Sequence, residues 1–372
     1  MRKILALCLI ATCCLYGCKT TPSVQQQMQR VVDSFYAANP AMTGVVVHVE
    51  APDRHISWSY AVGYGDKKTK QKLDAAQPVL IASNTKTYVA ASIMKLVEQG
   101  KLSTEQPIAK LLKPATAALL ANAGYQLDSI TLKQLMSHTS GIRDYVDNGY
   151  IDTINAHKQH QWTRDEQIAR AVSIGGPYAH PADSFRYADL NYLLLTEVLE
   201  TTTQQPFYTA IRALLNYKKA GIDNTWFVHL EPAPAGLPAF AHQYWEKYHW
   251  DSYDLDPSWD LYGGGGIAAT TKDIALFYQQ LWGGNIIINK QVLNLMTQDV
   301  PSTTPGNYCL GVRKLSVTGI QGYYHGGFWG TDVIYYPQLN TSIAVTCLEK
   351  TKRDLSGLIN KQLTILLKEK QQ

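Results

Sequence analysis

Residues 81–102 read IASNTKTYVAASIMKLVEQGKL and hold two Ser-x-x-Lys matches, Ser83 to Lys86 and Ser92 to Lys95, inside one segment of helical spacing. Position separates the two. Ser83 follows the apolar run PVLIA and opens the helix, so its hydroxyl and N–H stand at the positive end of the macrodipole, where an oxyanion is stabilised. Ser92 lies mid-helix, where a hydroxyl bonds the carbonyl of the preceding turn and Lys95 meets solvent or snorkels. Taken alone, Ser83 reads equally well as an ordinary N-cap serine. A serine nucleophile needs a proton acceptor in reach, and a lysine at i+3 sits one turn along the same face. To accept a proton that lysine must be neutral, which for a group titrating near ~10.4 in water calls for burial or a nearby cation.

Outward from this helix, the two ends of the chain mirror each other. From Met28 the apolar positions Met28, Val31, Val32, Phe35 and Tyr36 follow helical spacing, and TGVVVHVE and ISWSYAVGYG read as a strand hairpin. Towards the C-terminus YCLGVRKL, GYYHG, TDVIYY and SIAVTCLE read as strands, and Leu355, Leu358, Ile359, Leu363 and Leu366 mark a closing amphipathic helix. The expected fold class is α/β (α+β): one antiparallel sheet built from both chain ends, flanked by helices, with a large helical insertion and the cleft between them as the site. A single domain over residues 28–372 is expected, with its sheet part at 28–82 and 301–372 and a mostly helical part at 83–300.

The 372 residues, 45% hydrophobic and 17% charged, are ample for a packed core. The formal net charge is +4, with charges interspersed rather than gathered, so nucleic acid is not an expected partner. The opening MRKILALCLIATCCLYGCKTT has a cationic tip, a short apolar core and small residues before a cysteine, the pattern of an export signal. Leu15-Tyr16-Gly17-Cys18 resembles the bacterial lipobox, with Tyr16 bulkier than the usual occupant. Residues 1–18 are therefore read as a signal peptide, Cys18 as the lipidation site and residues 19–27 as a tether to the membrane. Cys309 and Cys347 remain, each in an apolar run of strand character, and both a disulfide and two buried thiols fit such a compartment.

Three signatures and several connecting segments give the chain its company. Ser83-Asn84-Thr85-Lys86 is followed by Tyr187-Ala188-Asp189, in FRYADLNYLLLTEVLE, and by His325-Gly326-Gly327. EQGKLSTEQPIAKLL, LMSHTSGI around His138 and GGGIAATTKDIALF lie between them. In order and spacing these resemble the serine β-lactamase and penicillin-recognising D,D-peptidase superfamily, in its carboxypeptidase, esterase and class C branch, over about Val31 to Leu366.

The resemblance implies that Ser83 attacks an acyl carbon to form an acyl-enzyme, with Lys86 and Tyr187 sharing the proton work. It further implies an oxyanion hole from the N–H groups of Ser83 and Phe328, and substrate contacts from Asp189, His325, Gly326 and Gly327. Asn191 is read as a support of the turn and His138 as a structural hydrogen-bonding residue. Two departures stand out. Asp189 replaces the family's asparagine, exchanging an amide donor for a carboxylate that, if ionised and facing Lys86, keeps the lysine protonated. His325-Gly326 replaces Lys-Thr, leaving a mostly neutral ring and no hydroxyl to hold a substrate carboxylate.

The aromatic stretch QYWEKYHWDSYDLDPSWDLY, residues 243–262, reads either as a cleft wall or as a loop packed on the domain. Its aspartates lack the ordered spacing of a calcium loop, and His157 and His160 lack a third ligand, so no metal is expected. No phosphate-binding or dinucleotide motif is present, and acyl transfer of this kind needs no cofactor. The expected function is an exported serine hydrolase, membrane-anchored by lipid and facing the periplasm or cell surface, acting on a D-amino-acid peptide or related amide or ester. Peptidoglycan is one source of such a small-molecule or peptide partner. The alternatives are a carboxylesterase and a slowly acylated or non-catalytic binder of cell-wall fragments.

Overall fold

The computed structural model describes residues 22–301 and 308–369. The leader, the Cys18 lipobox and residues 19–21 of the tether lie outside the described residues. The first helix, α1 (Val24–Ala37), starts four residues ahead of the apolar spacing, so residues 24–27 belong to it and not to the tether. Ser23 and Gln26 explain the early start, because they form a reciprocal capping box.

Eleven strands follow among the described residues: β1 (Gly44–Ala51), β2 (Ile56–Gly63), β3 (Val79–Leu80), β4 (Thr225–Phe227), β5 (Tyr244–Trp245), β6 (Trp250–Asp251), β7 (Ile267–Ala269), β8 (Arg313–Val317), β9 (Ile320–Gly326), β10 (Thr331–Tyr336) and β11 (Thr341–Cys347). Six of them make one antiparallel sheet in the order β2-β1-β11-β10-β9-β8, so the N-terminal hairpin lies beside the last strand of the chain. Val47 pairs with Val345, and Val333 pairs with both Ala344 and His325. α1 and the closing helix, α12 (Asp354–Glu369), cover one face, where Met28, Val32, Val45, Val47, Ile343, Ile359 and Leu363 form one cluster. Val46 and Ala344 point to the opposite face and into the main core. Burial on both faces is why this hairpin's first strand carries three successive valines, Val45–Val47, where a strand covered on one face would alternate.

The central region carries α2 (Thr85–Glu98), α3 (Pro114–Asn122), α4 (Leu132–Met136), α5 (Asn148–Ala156), α6 (Arg164–Ile174), α7 (Leu190–Thr203), α8 (Phe207–Leu214), α9 (Tyr217–Ala220), α10 (Thr271–Trp282) and α11 (Lys290–Leu295). Two features were not read from the sequence. A small sheet, β3-β7-β4, sits inside this mostly helical part, and α10 leaves it to pack on β1, β10 and β11. Cys309 is not in a strand: the chain bends at Gly311, whose φ of +74° sets it against Ala90 and the Lys86 carbonyl. Thr87 Oγ1 donates to the Gly311 carbonyl, and the Gly311 N–H donates to Met136, which ties this segment to α2 and α4. Cys309 and Cys347 are both buried but belong to separate hydrophobic clusters, and Cys347 is a free thiol.

Candidate active site

α2 runs through the core, buried on nearly every side from Thr85 to Met94, so Lys86 on its first turn is fully inaccessible. α7, equally enclosed from Leu190 to Leu199, packs against it. Their N-termini therefore open into one cleft and bring Ser83 to the segment Tyr187–Asp189. Ser83 stands in a 3-10 turn, Ala82–Asn84, ahead of α2. Ala82 just before it holds a φ of +45°, a conformation that costs a non-glycine residue roughly 1–3 kcal/mol and that turns the serine outward. Asn84 locks the turn by donating from Nδ2 to the carbonyls of Ile81 (3.0 Å) and Thr331 (3.1 Å). The end of β9 closes the other side. A Cβ on Gly327 would stand 2.3 Å from the Ile81 carbonyl, so only glycine lets the strand approach and carry Phe328 to the serine.

Lys86 Nζ donates to Ser83 Oγ (3.1 Å) and to the Gly264 carbonyl (2.6 Å), and it lies 2.6 Å from Asp189 Oδ1. Two of these contacts are hydrogen bonds and the third is an ion pair. Asp189 thus faces the lysine squarely, the arrangement in which it favours the charged form. The Lys86 ammonium also sits 4.9 Å from the Tyr187 ring centre and 5.6 Å from that of Tyr192. Tyr187 reaches Ser83 through its hydroxyl; burial first, then the Asp189 carboxylate, holds it above the usual phenol range, so it rests as a neutral phenol.

Around this pair stand two carboxyl groups that the motifs did not name, Asp144 and Asp260. Asp144 accepts from the N–H of Leu190 (3.3 Å) and from that of Asp189, capping the first turn of α7. Burial, then the nearby Asp189 carboxylate, pushes Asp144 up to about 7 and Asp260 up to about 8. Asp144 follows the His138 segment by two residues; Asp260 lies in the aromatic stretch already read as a possible cleft wall, but neither residue belongs to a catalytic motif. With Asp189 they put three carboxyl groups on one wall, against the single ammonium of Lys86.

His325 lies on the opposite wall and is buried. Its Nδ1 can only donate to the Gly326 carbonyl (3.0 Å), which leaves Nε2 as the acceptor for the Tyr308 hydroxyl (3.0 Å). Burial and the neighbouring Lys86 push the ring down to about 3, so it stays neutral at physiological pH. Within the aromatic stretch the two readings divide the residues. Trp259 and Asp260 line the cavity, of about 480 Å³, that contains Ser83, Tyr187, Asp189 and Phe328. Trp245 and Trp250 pack behind, and Trp245 and Trp259 both meet the Phe328 ring edge-on, at 5.1 and 5.3 Å. The far end of the cavity carries Arg313, Arg353, Asp332 and Asp354.

The second match is structural. Ser92 is buried and its hydroxyl donates to the Tyr88 carbonyl (2.9 Å), while Lys95 bonds Glu98 and the Ile286 carbonyl (2.7 Å). Asn191 points away from the cleft, accepting from Ser140 (2.6 Å) and donating to His138 Nδ1 (3.2 Å).

Comparison with known proteins gives the arrangement its kin. Penicillin-binding protein 4* of Bacillus subtilis (strain 168) is 23% identical over 254 residues, covering 66% of this chain and 53% of that protein. The chain thus spans about half the length of that relative. The D-amino acid amidase from Ochrobactrum anthropi SV3, complexed with L-phenylalanine amide, superposes with a TM-score of 0.76 at 18% identity, over 94% of this chain and 100% of that one. A D-stereospecific amidohydrolase from Streptomyces sp. gives 0.74 at 22% identity, over 88% and 95%. EstCE1, a hydrolase with promiscuous acyltransferase activity, gives 0.72 at 18% identity, over 92% and 99%. At these identities the structural likeness is one of fold: a sheet of N- and C-terminal strands flanked by helices, with a helical middle region. The family model described as Beta-lactamase matches residues 25–358, and with that span the chain belongs to the β-lactamase family of serine hydrolases.

Proposed function

We propose that the chain hydrolyses amides or short peptides of D-amino acids through an acyl-enzyme on Ser83. The observation that carries this reading is the Ser83–Lys86–Tyr187 constellation at the mouth of two buried helices, with Lys86 Nζ 3.1 Å from Ser83 Oγ. Lys86, bonded to the serine oxygen, stabilises charge developing there. Tyr187, touching the same hydroxyl, passes the proton from nucleophile to leaving group. The two titrate as one coupled set. The N–H groups of Ser83 and Phe328 serve the oxyanion.

Substrate class follows from charge. Penicillins and D-alanyl-D-alanine ends present a carboxylate, which the neutral His325 does not attract. Asp144 and Asp260, held back from ionising by burial and by Asp189, would ionise against a cation, and an amino-acid amide with a free amine brings one. Similarity in fold to a D-amino acid amidase supports the same choice. A carboxylesterase is the second reading, favoured by the neutral His325 and by the fold of EstCE1.

Turnover of D-phenylalanine amide, a D-alanyl-D-alanine peptide, an aryl ester and a chromogenic cephalosporin separates the readings. The account expects the amide to be cleaved, with the D form preferred over the L form, and the cephalosporin to be turned over slowly or not at all. Cleavage of the ester alone makes the protein an esterase. A stable adduct without turnover makes it a binder.

We also propose export and a lipid anchor at Cys18. Support for this comes from the residue pattern of positions 1–18.

A further inference from the structure

LMSHTSGI is conspicuous in the sequence, yet the chemistry proposed above makes no use of it. Its histidine, His138, is buried and adopts a φ of +58°. Three contacts join it to the segment that carries Tyr187. The Arg186 N–H donates to the His138 carbonyl (3.0 Å), and the Ala188 N–H donates to the ring Nδ1 (3.3 Å), so the backbone is gripped on both sides of the tyrosine. Between these bonds the imidazole lies against the Tyr187 ring, with centroids 4.2 Å apart and planes inclined by 33°. Tyr192 and Tyr308 hold the imidazole from other sides, at 5.2 and 4.7 Å.

The tautomer is determined by these partners. An amide N–H can only donate, so Nδ1 must accept, and the Asn191 amide is aimed at the same nitrogen (3.2 Å). The proton therefore sits on Nε2, which meets no acceptor among the described residues. Protonating Nδ1 would set a third donor against two. Burial and the Lys86 charge also hold the ring well below the usual imidazole range.

We infer that His138 is the positioning residue for Tyr187: a neutral imidazole that fixes the backbone on either side of the tyrosine and the tilt of its ring towards Ser83. The inference rests on the role given to Tyr187 in the proposed function. A sub-ångström drift of the phenol lengthens its contact with Ser83, and misplacement of about 1 Å in such a contact costs up to roughly 100-fold in rate. His138 touches no substrate in this scheme; its effect passes through Tyr187.

The test is a double-mutant cycle read by the second-order rate at which a fluorophosphonate modifies Ser83, which requires no knowledge of the substrate. His138→Asn keeps an acceptor near the Nδ1 position and suits a positive φ, but removes the stacked ring. Its melting temperature is measured alongside, and His138→Gln serves as a second variant if the first does not fold. The expected results are a fall of roughly 100-fold for Tyr187→Phe and of about tenfold for His138→Asn. In the Tyr187→Phe background, His138→Asn should then cost less than about twofold, because a group acting only through the phenol has nothing left to position. Equal losses in both backgrounds, or no loss from His138→Asn beside a crippled Tyr187→Phe, overturn the positioning role alone. A silent Tyr187→Phe overturns the role of Tyr187 and this inference with it.

Discussion

Lys86 Nζ and Asp189 Oδ1 stand 2.6 Å apart at the entrances of two packed helices, and the lysine is wholly buried while the aspartate is 15% exposed. The pair sets a carboxylate against the amine that also reaches the serine. A buried ammonium that also reaches Ser83 Oγ aids ionisation of the hydroxyl but cannot accept its proton until it gives one up.

Asp189→Asn loosens that hold. The amide removes the counter-charge from Lys86 and restores a donor for a substrate carbonyl. Acylation by D-amino-acid amides and β-lactams should rise by about tenfold, more than that of small esters, whose good leaving groups need less exact placement. The basic limb of the rate profile should move as well. Stopped-flow acylation across pH 5–10 reads both effects, and an equal loss for esters and amides would make the carboxylate a working part of catalysis.

Asp260 links the cleft to stability. Its carboxyl, ordinarily near 3.8, is raised to about 8 by burial first and then by Asp189, so the folded chain holds a proton that the unfolded chain releases. Stability from this group is complete below about pH 4 and is lost as the pH rises through about 8. Asp260→Asn keeps the neutral form at every pH. Its melting temperature should fall less than that of the wild type between pH 5 and pH 9, by at least ~2 °C. Parallel curves from scanning calorimetry would show that Asp260 ionises without cost.

A free amine on the substrate should matter. Charged hydrogen bonds contribute about 1.5–3 kcal/mol, so D-phenylalanine amide should exceed its N-acetyl derivative in kcat/KM by roughly 10–100-fold. Asp144→Asn and Asp260→Asn should each narrow the gap. Equal rates for the two amides would remove the cation from the account of specificity.

Cys18→Ser should release the protein from membranes, since the lipid on that cysteine is the only anchor proposed. No helix among the described residues is long and apolar enough to cross a membrane. Retention of a correctly processed variant in the membrane fraction would contradict the anchor.

The terminal strands were legible because burial writes itself into them: GVVVHVEA and TSIAVTC are buried almost throughout and carry the apolar runs Val45–Val47 and Ile343–Val345. Ser83, Lys86 and Tyr187 could be singled out through the motifs of the family resemblance, and Ser83 could be set apart from Ser92 because a helix entrance and a helix interior impose different surroundings on a serine. Gly311 shows the limit. An apolar run beside it looked like a strand, but its left-handed turn answers to Ala90 and Lys86, more than two hundred residues away in sequence. The raised proton affinity of Asp144 and Asp260 was hidden for the same reason: it arises from burial first and then from a neighbour, Asp189, and both are supplied only by packing.

The central claim is that Ser83 is the nucleophile, and peptide-level mass spectrometry after treatment with a fluorophosphonate tests it most directly. The account predicts one covalent adduct, on Ser83, absent from Ser83→Ala and unchanged in Ser92→Ala. An unmodified wild-type protein, or an adduct that persists on another residue in folded Ser83→Ala, would contradict it.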